Sequence, residues 1–220
     1  MKSLLTITTP ATDLTLLTLD EMRAATNVTG NGQDATLRSM ERRVAAAIMS
    51  ECGIAIGAGS PPTLHRETVT QTFRQDFGFY DFPDALILAR RHDVEIASLV
   101  EDTETVVDTD YLVDPESGLV SRLRIDQPTV WIARKIVVTY AAGFATIPED
   151  LKQAATDFMR LLWFERKRDP SLKSEVVLIP DVRRVEQTYW VGSVPGQSTE
   201  GPVPDVVAGQ LTRFRNTMGA

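Results

Sequence analysis

Two histidines, one cysteine and a run of five acids are the side chains of this 220-residue chain best suited to chemistry. His65 adjoins Arg66, and His92 follows Arg90 and Arg91. Neither lies on a helical pattern with a His, Asp or Glu partner three or four residues on, as a metal site would require. Both read as loop or strand-end histidines in solvent. Cys52 stands beside Gly53 at a helix end with no histidine nearby to activate it, so it reads as a small buried apolar residue. The acids Glu101, Asp102, Glu104, Asp108 and Asp110 fall within ten residues with no base between them. They lack the ligand spacing of a calcium loop. A solvated loop, a metal site and a negative channel lining that repels nucleic-acid phosphate all remain open for this run.

A further stretch, "TYAAGFATIPEDLKQA" at 139–154, has the strand, glycine turn and helix layout of a phosphate loop. Such a loop needs several glycines and usually a lysine. Here one glycine, Gly143, is followed by Glu149 and Asp150, which would repel an anion at the helix start. The stretch reads as a hinge. No serine-nucleophile signature occurs. No catalytic, cofactor or metal residue is assigned, and no enzyme activity is expected.

The elements around these residues follow from period and punctuation. Residues 1–17 read as an irregular or extended arm. Thr18 and Glu21 form a capping box that opens a helix at about 18–28, with Leu17 and Met22 as its staple. Asp34 is read as the N-cap of a second helix at about 34–52. Leu37, Met40, Val44, Ala47 and Ile48 share one face, Glu41, Arg42 and Arg43 lie off it, and Gly53 closes the helix. A β block covers about 66–142: "RETVTQTF", "ALILAR", "VEIASLVED", a hairpin of Tyr111–Val113 with Leu119–Leu123, and "KIVVTYAAG". Successive short strands imply antiparallel pairing. A third helix, about 148–168, presents Leu151, Ala154, Ala155, Phe158, Leu161 and Leu162. The basic pairs Arg42–Arg43, Arg90–Arg91, Arg166–Arg168 and Arg183–Arg184 read as solvated faces or helix-end charges, with intersubunit ion pairing as a second use. The fold class is therefore α+β: a small helical bundle with an inserted antiparallel β block and an extended C-terminal tail. A domain at 1–170 is followed by an extension at 171–220. It carries a possible strand "SEVVLIP", the aromatics Tyr189 and Trp190 before a flexible linker, and a terminal helix presenting Val206, Val207, Leu211 and Phe214. That helix can bind its own body or another chain.

Composition is that of a soluble protein: 43% hydrophobic, 24% charged, net charge −7. An acidic chain is unsuited to gripping nucleic acid over its whole surface. No apolar run reaches the length of a membrane span, and the N-terminus lacks the core of a secretory signal. A lone cysteine permits no intrachain disulfide and fits a reducing compartment.

Taken together, "TLDEMRAATNV", "ATLRSMERRVAAAIMSECG", "FGFYDFPDALILAR" leading into "VEIASLVED", "DYLVDPESGLVSRL" and "IVVTYAAGFATIPEDLKQAATDFMRLLWFERKRD" resemble the head–tail connector family. These are the adaptor, or head-completion, proteins of long-tailed bacteriophages, prophages and gene transfer agents. The resemblance covers roughly residues 15–170. It implies a structural adaptor in the virion neck, assembled in the bacterial host cytoplasm. It further implies a ring, twelvefold as is usual in the family, beneath the portal protein. Such a ring extends the channel through which DNA passes and meets stopper or tail proteins, with no cofactor and no membrane. By that analogy Tyr189, Trp190, Val206, Val207, Leu211 and Phe214 are expected at partner contacts, and the acidic run is expected to face the channel. The alternatives are a small-molecule-binding or hydrolytic α+β domain with no visible motif, or another neck or tail component such as a stopper or tail terminator.

Overall fold

The computed structural model describes residues 1–75, 82–166 and 201–216, and the backbone of 174–179 and 183–188. The chain divides into two compact units. The first comprises Met1–Leu14, Gly53–Pro148 and Asn216–Ala220; the second comprises Thr15–Cys52 and Glu149–Arg215. Helices and antiparallel sheets make the protein α+β.

The first unit holds strands β1 (Lys2–Thr9), β2 (Glu67–Arg74), β3 (Ala85–Ile87), β4 (Glu95–Glu101), β5 (Glu104–Thr105), β6 (Tyr111–Asp114), β7 (Leu119–Arg124), β8 (Gln127–Thr129) and β9 (Lys135–Ala142). One antiparallel sheet runs β1-β2-β9-β4-β5. The other runs β3-β7-β6, with β8 also paired to β7. Alternation decides which side chains go inside. β2 buries Glu67, Val69, Gln71 and Phe73, and β9 buries Ile136, Val138, Tyr140 and Ala142. Register sets Val69 opposite Tyr140 and Phe73 opposite Ile136, the aromatic–aliphatic pairing that stabilises sheets. Leu86 and Val120 of the second sheet join the same core, as does Trp131. On the opposite face the hydroxyls of Thr8, Thr70 and Thr139 form a chain with 3.2 Å steps.

Of the irregular or extended arm read at residues 1–17, residues 2–9 are extended, and they are a paired strand of the first sheet. The pattern Leu5, Thr6, Ile7, Thr8 is a period-two signal, and burial of Leu5 and Ile7 drives the pairing.

The second unit holds α1 (Leu19–Thr26), α2 (Asp34–Glu51), α3 (Glu149–Glu165), the strand pair β10 (Ser174–Ile179) and β11 (Arg183–Thr188), and α4 (Asp205–Gln210). The capping box forms: Glu21 Oε2 accepts from the Thr18 N–H at 2.6 Å, and Thr18 Oγ1 accepts from the Glu21 N–H. Asp34 is not the cap of α2. It is the first helical residue, Gln33 precedes it as N-cap, and the Asp34 carboxylate is held by Arg23 at 3.1 and 2.7 Å. A bidentate guanidinium outcompetes backbone capping for that carboxylate. Glu41, expected off the buried face, is buried because its Oε1 accepts the Leu16 N–H at 2.7 Å.

The helix α3 packs against α1, α2 and α4. Its buried residues are Leu151, Ala154, Ala155, Phe158, Met159 and Trp163. Leu161, expected inside, is 39% exposed, and Leu162 is half-buried. The interior row 151, 155, 159, 163 follows i+4 spacing along the helix, which places 161 on the outer side. Among the described residues no helix is long and apolar enough to cross a membrane.

Candidate functional site

The turn after β9 shows what the 139–154 stretch does. Gly143 has φ +95, and a Cβ there would lie 2.5 Å from the His65 carbonyl oxygen. Only glycine lets the two chain segments approach so closely. The turn is then locked by three backbone bonds: Gly143 N–H to His92 O at 2.8 Å, Phe144 N–H to Leu64 O at 2.8 Å, and Arg66 N–H to Phe144 O at 3.0 Å. Three residues earlier, the Tyr140 hydroxyl donates to Gln71 Oε1 at 3.1 Å and accepts the Arg90 N–H at 3.2 Å. Burial pushes its pKa up to about 12, so the phenol stays neutral. Tyrosine and glycine three apart thus serve one purpose: they tie the last strand to the two loops beside it.

Two sequence readings are corrected here. Arg90 is buried rather than solvated. It pairs with buried Glu67 at 3.3 Å and donates to the Thr63 carbonyl at 3.1 Å. Burial pulls its pKa down, and the nearby carboxylate keeps the charge tolerable. His92 is also buried rather than in solvent. It stacks on Phe144 with centroids 5.2 Å apart, and its Nδ1 lies 3.4 Å from Glu116. Cys52 is buried, its thiol pushed up to about 12 by burial and by the charge of Glu51, which makes it a poor nucleophile.

The acidic run does not act as one patch. Glu101 ends β4 and Asp110 closes the one-turn helix Asp108–Asp110, and both converge on Arg122 of β7 at 3.2 and 3.3 Å. Asp102 turns the chain at φ +51 and accepts the Lys135 N–H. Glu104 and Asp108 point to solvent. Among the described residues no group of three or more His, Cys, Asp or Glu is placed to hold a metal ion. The first unit holds 9 basic and 15 acidic residues, a net −6, against 14 and 15, a net −1, in the second. The acidity of the chain therefore belongs almost wholly to the β unit.

An exposed apolar surface also lies on that unit, and sequence reasoning missed it. On the second sheet the register sets Ile87 beside Leu119 and Leu112 beside Ser121, all on the side opposite buried Leu86 and Val120. Leu112 is 64% exposed, and Ile132, next to buried Trp131, is 68% exposed. Ile125 at the tip of the β7–β8 hairpin is 90% exposed with φ +52. A β-branched residue in the left-handed region is strained. Strain and exposure thus coincide at this one tip. The signal available in sequence was "RIDQP", a two-residue turn lacking the usual asparagine or glycine.

In the tail, α4 packs on α3, and Val207, Leu211 and Phe214 are fully buried, while Val206 is 71% exposed. Tyr189 and Trp190 lie outside the described residues. The first unit also has a cavity of about 190 Å³ lined by Gln71, Leu88, Ala89, Arg91 and Asn216, smaller than ordinary ligand pockets.

These features define an α+β protein whose distinctive exposed parts are surfaces. No family model and no curated protein matches the chain. Among solved structures, it is similar to a chain in the "Neck of empty GTA particle computed with C6 symmetry". The TM-score is 0.54 and the identity 17%, and the alignment covers 99% of this chain and 97% of that one. At that identity the likeness establishes a shared fold across nearly the whole length of both chains.

Proposed function

We propose that this protein is a non-enzymatic structural component of the neck of a tailed phage-like particle. Within the neck it acts as the adaptor: copies form a closed ring beneath the portal, extend the DNA channel, and present a docking surface to the next stopper or tail protein. The observation that carries this reading is the fold shared end to end with a particle-neck chain. The exposed apolar face of the second sheet formed by Ile87, Leu112 and Leu119 and the strained tip at Ile125 support it, since isolated chains seldom leave contiguous apolar surface uncovered. The net −6 of the β unit suits a passage through which DNA moves without sticking.

The test is deletion of the gene in a producing cell. The expected result is the accumulation of heads without tails, restored by the intact gene in trans. Tailed, infectious or DNA-transferring particles at normal yield would overturn the reading.

A further inference from the structure

The outer face of α2 bears three arginines that nothing in the fold explains. Arg38, Arg42 and Arg43 are all exposed. Among the described residues none of them makes an ion pair or side-chain hydrogen bond. The other exposed residues of this face are Ala35, Thr36, Ser39, Ala46 and Ser50, and no exposed acid lies among them. The carboxylates of α2 itself are already engaged: Asp34 by Arg23, Glu51 by Arg215, and buried Glu41 by the Leu16 N–H. Arg38 and Arg42 stand at i,i+4, where like charges repel and weaken a helix. The helix accepts that repulsion, and the small neighbours leave the three guanidinium groups accessible from outside.

The face is suited to carboxylates. Guanidinium binds carboxylate in a bidentate fork and loses little hydration in doing so. The same chain offers a complementary group on its first unit: Glu104 on β5 and Asp108 at the start of the one-turn helix Asp108–Asp110, both exposed and without the arginine partner that neutralises Glu101 and Asp110. A basic face and an acidic segment on one chain are the two halves of a head-to-tail contact. Such a contact repeats from copy to copy and closes into a ring when the rotation allows. Duplex DNA fits less well. Three arginines neutralise few phosphates, and a chain of net charge −7 repels the polyanion.

We infer that the arginine face of α2 docks on the Glu104–Asp108 segment of a second copy of this chain, forming the intersubunit contact of the ring. This rests on the adaptor reading above and names the surface that reading leaves open.

The experiment uses the full-length chain in sedimentation velocity and mass photometry, at about 30 mM and about 500 mM salt, between which screening removes exposed ion pairs. Wild type is expected to self-associate at low salt and dissociate at high salt. The triple variant R38E/R42E/R43E and the double variant E104K/D108K should each lose association by about tenfold or more, a loss in line with two or three exposed ion pairs. An equimolar mixture of the two variants should recover it, because every contact between unlike copies is complementary and every contact between like copies is repulsive. A single chain carrying all five changes should recover it as well. All positions are exposed, and circular dichroism confirms that each variant is folded.

Salt-insensitive rings unaffected by either variant would overturn this contact and leave the adaptor reading standing. Absence of self-association at any salt would also overturn it, with the adaptor reading then decided by the gene deletion. Salt-dependent binding of a 5′-labelled duplex that is lost in R38E/R42E/R43E, without self-association, would assign the face to nucleic acid and overturn the proposal.

Discussion

Replacing Gly143 with alanine tests whether the turn after β9 is the tie that holds the first unit together. Two costs add. Alanine at φ +95 carries backbone strain of about 1–2 kcal/mol. Its Cβ would sit 2.5 Å from the His65 oxygen and 2.8 Å from the Leu64 oxygen. Both are backbone atoms, so the strands must separate. Separation lengthens the Phe144–Leu64 and Arg66–Phe144 bonds, at about 1 kcal/mol each. The total is about 3–4 kcal/mol, a large share of the ~5–15 kcal/mol that holds an ordinary domain folded. Gly53 is the control. It has φ +63, but nothing lies within 4 Å of its would-be Cβ, so Gly53→Ala should cost only about 1 kcal/mol. Urea unfolding gives the total, and hydrogen exchange at the β2 and β9 amides locates the loss in the first unit. Equal effects at the two glycines, or a loss below about 1 kcal/mol at Gly143, would refute the close-approach account.

Other outcomes follow from the same geometry. Tyr140→Phe should cost about 1–3 kcal/mol, because the Arg90 N–H loses its buried partner; a neutral effect in urea unfolding would show that another acceptor takes over. Burial raises the Glu21 pKa, but the bonds from the Thr18 N–H and hydroxyl and from Lys152 outweigh it and hold the carboxyl below its usual 4.5. A depressed pKa stabilises the fold above pH 4.5, and that contribution fades as pH falls through the folded value. Glu21→Gln should therefore flatten the acid side of the stability curve measured from pH 7 downward. The Cys52 thiol should resist thiol reagents at pH 8 until urea unfolds the chain, since its pKa stands at about 12; rapid labelling of the native protein would contradict its burial. Ile125→Asn should raise stability by about 1 kcal/mol by relieving left-handed strain, while lowering the yield of tailed particles. Unchanged particle yield would remove the hairpin tip from the docking surface.

Much of the fold is legible in the chain because its signals are local. The capping box at Thr18 and Glu21, the alternation of β2 and β9, the Asp114–Gly118 turn and Gly53 at the end of α2 each sit within a few residues of one another. What stays hidden depends on distant partners. Arg90 looks like one of a solvated pair until the sheet brings Glu67 beside it. Glu41 looks exposed until Leu16 folds back to it. Glu101 and Asp110 read as part of an open acidic patch until β7 delivers Arg122 between them. The exposed apolar surface is invisible for the same reason. Ile87, Leu112 and Leu119 look like ordinary strand interiors, and only the position of the core shows which side of the second sheet is left uncovered.

The central claim, that this chain is built into a particle neck, is tested most directly by cryo-electron microscopy of particles from a producing cell. Both units should fit a ring of density between the portal and the tail, with the same chain found by mass spectrometry of those particles. Purified particles with a complete neck and no trace of this chain would contradict it.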